Sequence, residues 1–209
     1  MSGQDTPCLV AVADRSWEPI LMAAGRQLAD AVAHAIGGDW SVNLRFLADA
    51  DGPLPQGDWI VVSLNADVAG DAPMAMLECR WHERLERYAA SYRRVLVCNS
   101  FRGVNDPAMI ERLRQISMMA IRLSRGTGAE IADVDRLLAL VGGRTARCDW
   151  RLAGETAAQL AAHVIVATLL DGELASIPDD VQMRAARFHG GLRDIPAIAK
   201  RRVGKTGAG

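Results

Sequence analysis

The stretch CLVAVADRSWEP, residues 8–19, decides the fold. An apolar run of strand length, Cys8–Asp14, breaks off in Asp14-Arg15-Ser16, and a helical pattern begins directly after it. A run without polar alternation is what a strand covered on both faces looks like. In the segment that follows, Leu21, Ala24, Leu28, Val32 and Ile36 recur at helical spacing until Gly37-Gly38. A buried strand leading straight into an amphipathic helix is the first half of a βαβ unit.

The same alternation continues outward. SVNLRFLA (41–48) reads as a second strand, more alternating and so nearer an edge; DWIVVSLN (58–65) and RVLVCN (94–99) are further apolar runs, and AEIADV (129–134) is a short fifth strand. Helices are expected from Pro73 to Arg94 and from Asp106 to Gly128, the second with Ile110, Leu113, Ile116, Ala120 and Leu123 buried. Asp106 can cap its start, and Gly126 or Gly128 can close it. DRLLALVGG (135–143) gives a brief helix, and GETAAQLAAHVIVATLLDG (154–172) a long one, apolar almost all round and therefore buried. Strands alternating with helices predict a three-layer α/β domain with a doubly wound parallel sheet in flavodoxin-like order. That domain is expected over residues 1–178. From 179 to 209 the chain loses periodicity and turns basic, an irregular tail expected to be disordered at its end.

Composition narrows the function classes. Half the residues are hydrophobic, 23% are charged, and the net charge is −1, which gives no electrostatic footprint for nucleic acid or an anionic membrane. No window approaches the length of a membrane span, and the start lacks a secretory signal pattern, so a cytoplasmic protein is the expectation. Cys8, Cys79, Cys98 and Cys148 stand apart from one another, as do the four histidines, so neither a metal site nor a cofactor is expected. Gly204-Lys205-Thr206 lacks the first glycine, the strand and the helix of a phosphate loop, and no dinucleotide fingerprint follows the first strand. The aromatic and basic residues Trp81, His82, Arg84, Arg87, Tyr88 and Tyr92 read as a solvated helix face, and ISMMAI (116–121) as core.

Ligands of open parallel sheets bind beyond the carboxyl ends of the strands. The residues there are Asp14, Arg15 and Ser16 after the first strand, Asp49, Asp51 and Gly52 after the second, and Asn65 and Asp67 after the third. Asn99 and Ser100 follow the fourth, and Asp133 and Asp135 the fifth. Singly, each reads as a loop or helix-cap residue; together they line a crevice.

This layout, over residues 8 to about 174, resembles the SGNH (GDSL-type) hydrolases, esterases with a flavodoxin-like sheet. In that family the first strand runs into Gly-Asp-Ser, where the serine is the nucleophile. Ala13-Asp14-Arg15 stands there in this chain, so the slot holds Arg15, or Ser16 if the turn is one residue longer. Gly52 corresponds to the oxyanion-hole glycine, and Asn65 or Asp67, depending on register, to the asparagine. ARCDWRLAGE resembles the late acid–base block: Asp149 matches its aspartate, and Arg151-Leu152 falls where His-Leu is usual.

The block has no histidine, and a serine hydroxyl needs a base within reach. His34 and His82 lie mid-helix, His163 reads as a buried, hydrogen-bonded core histidine, and His189 lies in the tail. Arg15 and Arg151 could bind an anion across the crevice, or pair with Asp14, Asp67 or Asp149 and close it; acidic neighbours favour closure. The resemblance implies one of two functions. The first is an impaired protein that keeps the crevice for a saccharide or acyl ester, as an accessory of a polysaccharide synthase in bacterial exopolysaccharide or cellulose biosynthesis. The second is an active ester hydrolase using Ser16, Asp14, Asp149 and a histidine such as His163, with Gly52 and Asn65 as oxyanion donors. A receiver-like regulator is a third reading, weakened because no lysine follows the fifth strand.

Overall fold

A computed structural model describes residues 7–36, 39–47, 49–68, 70–98, 107–134 and 155–170. Five strands form one parallel sheet: β1 (Cys8–Val12), β2 (Asn43–Phe46), β3 (Trp59–Ser63), β4 (Arg94–Cys98) and β5 (Glu130–Ala132), in the order β2-β1-β3-β4-β5. Each lies inside its expected stretch and stops short of its polar end, so Asp14–Ser16, Asp49, Asp51, Gly52, Asn65, Asp67 and Asp133 fall beyond the strands, while Asn99, Ser100 and Asp135 lie outside the described residues. Central β1 pairs with β2 from Cys8↔Asn43 and with β3 from Leu9↔Trp59.

Alternate residues of each inner strand feed two cores. Leu9, Ala11, Val61 and Leu96 face one layer, made by α1 (Glu18–Ile36) and α5 (Glu155–Leu169). Val10, Val12, Ile60, Val62 and Val97 face the other, made by α3 (Met74–Ser91) and α4 (Pro107–Thr127). That double coverage is why the strands carry no polar alternation. β2, at the edge, exposes Asn43, Arg45 and Phe46, which accounts for its mixed pattern. No helix connects β2 to β3; the chain crosses through residues 47–58 and packs Leu47, Ala50 and Leu54 on the α3 core.

Local chemistry sets the ends. Gly128, at φ +73°, closes α4 with its N–H on Ser124 O at 3.2 Å, as one of the two expected glycines. Asp106, Gly37-Gly38, the brief helix expected at 135–143 and the basic tail from 179 lie outside the described residues. ISMMAI is core only on one side: Met119 is fully buried, whereas Met118 and Ile121 are 55% and 39% exposed. Among the described residues no helix is long and apolar enough to cross a membrane.

At the opposite edge of the sheet from the strand carboxyl ends, Gly57 lets the chain pass close under β1. A Cβ there would lie 2.7 Å from Val10 Cγ2, 3.2 Å from Cys8 O and 3.3 Å from Tyr92 Cε1. Gly57→Ala is therefore expected to cost about 1–3 kcal/mol, the range for overpacking a tight site. A urea midpoint unchanged from wild type would show that Val10 and Tyr92 give way.

Candidate functional site

The sheet places a topological switch between β1 and β3. From β1 the chain turns into α1 on one face; from β3 it turns into α2 (Asn65–Val68) and α3 on the other. The carboxyl ends of these neighbouring strands therefore open a crevice between diverging loops.

On the β1 side, Asp14 caps a single 3₁₀ turn, Arg15–Trp17. Its Oδ1 accepts from the Ser16 N–H at 2.8 Å and also from the Ser16 hydroxyl. Trp17 is completely buried beneath the turn, and its N–H bonds Asp14 O at 3.0 Å. The intervening Arg15 is exposed. Its guanidinium makes no ion pair among the described residues: Asp14 serves Ser16, and Asp67 is engaged elsewhere. Arg15 thus does not pair with Asp14 or Asp67; the expected pairing with Asp149, and any pairing of Arg151, lies outside the described residues.

On the β3 side, buried Ser63 accepts the Asn65 N–H through Oγ at 3.2 Å, which shapes the turn into α2. Asp67 points into a structural network. Its carboxylate accepts from Arg80 Nη2 at 3.0 Å and from Trp81 Nε1 at 2.8 Å. Arg112 of α4 ties down Asp67 O and Ala72 O from the other flank.

The β2 loop is held by the same helix. Arg84 forks onto Asp51 with bonds of 2.7 and 2.6 Å, Arg87 reaches Asp51 O and Ala50 O, and the Tyr88 hydroxyl reaches Ala50 O at 2.9 Å. Within that loop Gly52 N bonds Asp49 O at 3.2 Å. The Arg84 guanidinium beside Asp51 holds that carboxyl below the usual carboxylate range; burial pushes the Tyr88 phenol up. Arg84 also lies over the Trp81 ring at 4.8 Å. The network runs unbroken from Asp67 through Trp81 and Arg84 to Asp51.

This corrects the solvated-face reading of 81–92. Trp81, Tyr88 and Tyr92 are 3%, 0% and 5% exposed, and Arg84 and Arg87 are half-buried loop clamps. One signal was available in the sequence: Trp81 and Tyr88 share the helical stripe of Leu77 and Leu85. Ser63 and Trp17 gave no such signal.

The structure does not bring His163 to Ser16. The carbonyl of Gln159 in α5 receives Gln27 Nε2 of α1 at 3.0 Å, so these two residues are level. Gln27 lies eleven residues beyond Ser16, about 16 Å down the helix, and His163 is one turn beyond Gln159. The far end of α5 confirms the direction, since Leu169 O meets Arg94 at the start of β4. His163 is buried as expected, yet its Nε2 has no hydrogen-bond partner among the described residues. Burial lowers its pKa below the ordinary 6.5. The folded chain then binds this proton less readily than the unfolded one, so the contribution is present above pH 6.5 and is lost as pH falls through the folded value. Stability measured by urea is expected to fall between neutral pH and pH ~5, below the free imidazole range. His163→Gln should flatten that fall; an unchanged profile would remove His163 as its source.

His82 is exposed on α3, 3.4 Å from Glu86. The side chain of His34, together with Asp149, Arg151 and His189, lies outside the described residues. Buried Cys98, at the end of β4, has its thiol pKa pushed up by burial and is no nucleophile. Among the described residues no His, Cys, Asp and Glu group could hold a metal.

Comparison with solved structures returns hydrolases. An acetylxylan esterase from Geobacillus stearothermophilus aligns with a TM-score of 0.59 at 10% identity, over 84% of this chain and 99% of that one. An alpha/beta hydrolase enzyme from the metagenome of Lake Arreo, Spain, aligns with a TM-score of 0.53 at 11% identity, over 80% and 96%. By sequence, the chain matches no protein-family model and no curated protein. The chain shares the α/β fold of these two proteins, a parallel sheet flanked by helices.

Proposed function

We propose that this chain keeps the crevice of an SGNH-type esterase as a binding site and has given up hydrolysis. The observation that carries this reading is the turn after β1. Asp14 takes both the N–H and the hydroxyl of Ser16, while exposed Arg15, at the apex, makes no ion pair among the described residues. A carboxylate two residues away serves as a cap; it does not stand where an imidazole would relay the proton to a leaving group. An exposed arginine at this position suits a carboxylate, which it can grip with two parallel hydrogen bonds. With an acetylxylan esterase among the structural neighbours, the ligand class we favour is a saccharide bearing acyl or carboxylate groups. An accessory role beside a polysaccharide synthase in bacterial exopolysaccharide production is the setting proposed for such binding.

The test pairs labelling with titration. A fluorophosphonate probe and a short-chain aryl ester should give no signal above background, and Ser16→Ala should change nothing. Acetylated and uronate-bearing xylo-oligosaccharides, titrated by calorimetry, should bind. Arg15→Ala should weaken the uronate at least tenfold, since a charged hydrogen bond contributes about 1.5–3 kcal/mol. Labelling or turnover that disappears in Ser16→Ala would overturn this reading. It would favour the second one, an ester hydrolase built on Ser16, Gly52 and Asn65. The half-buried position of Ser16 at the β1–β3 switch supports that alternative.

A further inference from the structure

We propose that the outer face of α3 and α4 docks a second copy of this chain, closing a two-fold dimer in which the arginines of α4 meet the glutamates of α3. The two helices divide the surface by sign. α3 exposes Cys79, His82, Glu83 and Glu86, whereas α4 exposes Arg114, Met118, Ile121, Arg122 and Arg125, with Glu111 the one exposed acid on that helix. Within this face Glu78 pairs with Arg122 at 2.8 Å, His82 lies 3.4 Å from Glu86, and Glu111 lies 3.9 Å from Arg114, so Glu83 and Arg125 are the charges with no ion pair among the described residues. The Glu78–Arg122 pair links the helices, so the acidic and basic rows form one surface.

A face with one acidic half and one basic half is complementary to itself after rotation by 180°, which is the condition for an isologous contact. Its apolar centre lies on α4. Met118 is 55% exposed, Ile121 is 39% exposed, and an open groove of about 400 Å³ beside them is lined by Met74, Gln115 and Met118 among others. Two helices about 30 Å long and about 10 Å apart offer roughly 600 Å² per copy, about 1,200 Å² in all, at the lower end of specific interfaces. The dimer is therefore weak and sensitive to salt.

Sedimentation velocity on the full chain tests this. Association should rise with concentration at low salt and weaken at least tenfold at about 0.5 M salt, where screening is short-ranged. Glu83→Arg with Glu86→Arg makes the face predominantly basic; Arg114→Glu with Arg125→Glu makes it predominantly acidic. Each double variant alone should be monomeric, while their mixture should form a 1:1 heterodimer, and unchanged urea midpoints would show that both remain folded. Met118→Glu should also dissociate the wild-type dimer. A chain monomeric at every concentration, a dimer indifferent to these changes, or reversed variants that ignore one another would overturn the proposal. So would zero-length cross-links joining Glu83 or Glu86 to Lys200 or Lys205, the only lysines in the chain, within a monomer; these would assign the face to the C-terminal segment.

Discussion

Trp17→Ala is expected to cost about 3–5 kcal/mol, the range for truncating a large aromatic in a packed core. Trp17 is 0% exposed and belongs to the cluster between the sheet and the α1–α5 layer. Several members of that cluster are alanines, including Ala11, Ala24, Ala158, Ala161 and Ala162. Small side chains on helix and strand backbones cannot reach into the space an indole leaves, so the cavity collapses poorly and the cost sits toward the upper end. For a chain of this size the melting temperature should fall by about 10 °C. Equilibrium urea unfolding reads the loss, and Trp17→Phe should recover more than half of it. The same change loosens the turn carrying Asp14, Arg15 and Ser16, whose hydrogen bond Trp17 N→Asp14 O depends on the buried ring beneath it. A cost below ~1 kcal/mol, typical of surface substitutions, would show that the turn is anchored elsewhere.

That turn also marks where reading the sequence stops being enough. Apolar runs such as Trp59–Val62 and Val95–Cys98 announce their strands because burial on both faces disfavours polar residues there. The edge position of β2 was equally legible, from the polar residues Asn43 and Arg45. Side-chain partnerships across the fold were not. Arg84 and Asp51 are 33 residues apart, and Arg80 and Asp67 are 13 apart; an arginine on a helix gives no local sign of whether it meets water or a loop carbonyl. Arg15 shows the converse. Abundant acidic neighbours in sequence suggested a salt bridge, but Ser16, Arg80 and Trp81 occupy those carboxylates in space. Ion pairing depends on which partner the backbone brings within reach, and composition carries no record of that.

The second large effect is expected at Asp67. Asp67→Ala removes the acceptor of two side chains at once, and the consequences differ in kind. Trp81 is 3% exposed, so its indole N–H is left buried without a partner, which costs about 1–3 kcal/mol. The Arg80 side chain is 39% exposed and can turn to water, so its share is screened and amounts to less than about 1 kcal/mol. A total of about 1–4 kcal/mol follows. Asp67→Asn, which keeps an acceptor for Trp81, should lose no more than half as much. The cycle with Trp81→Phe separates the terms: with the indole N–H gone, Asp67→Ala should cost little more than the Arg80 share. Equal costs for alanine and asparagine would place the main stabilisation in the ion pair instead. Hydrogen exchange should localise the damage. Amides of Asn65–Val68 are expected to open faster in Asp67→Ala while those of β4 keep their protection, because α2 is held by side chains and β4 by the sheet. Since Arg84 rests on the Trp81 ring while gripping Asp51, some loosening should also reach the 49–52 loop. The loops after β2 and β3 are both held by α3, and Asp67 is where that hold can be broken with a single side chain.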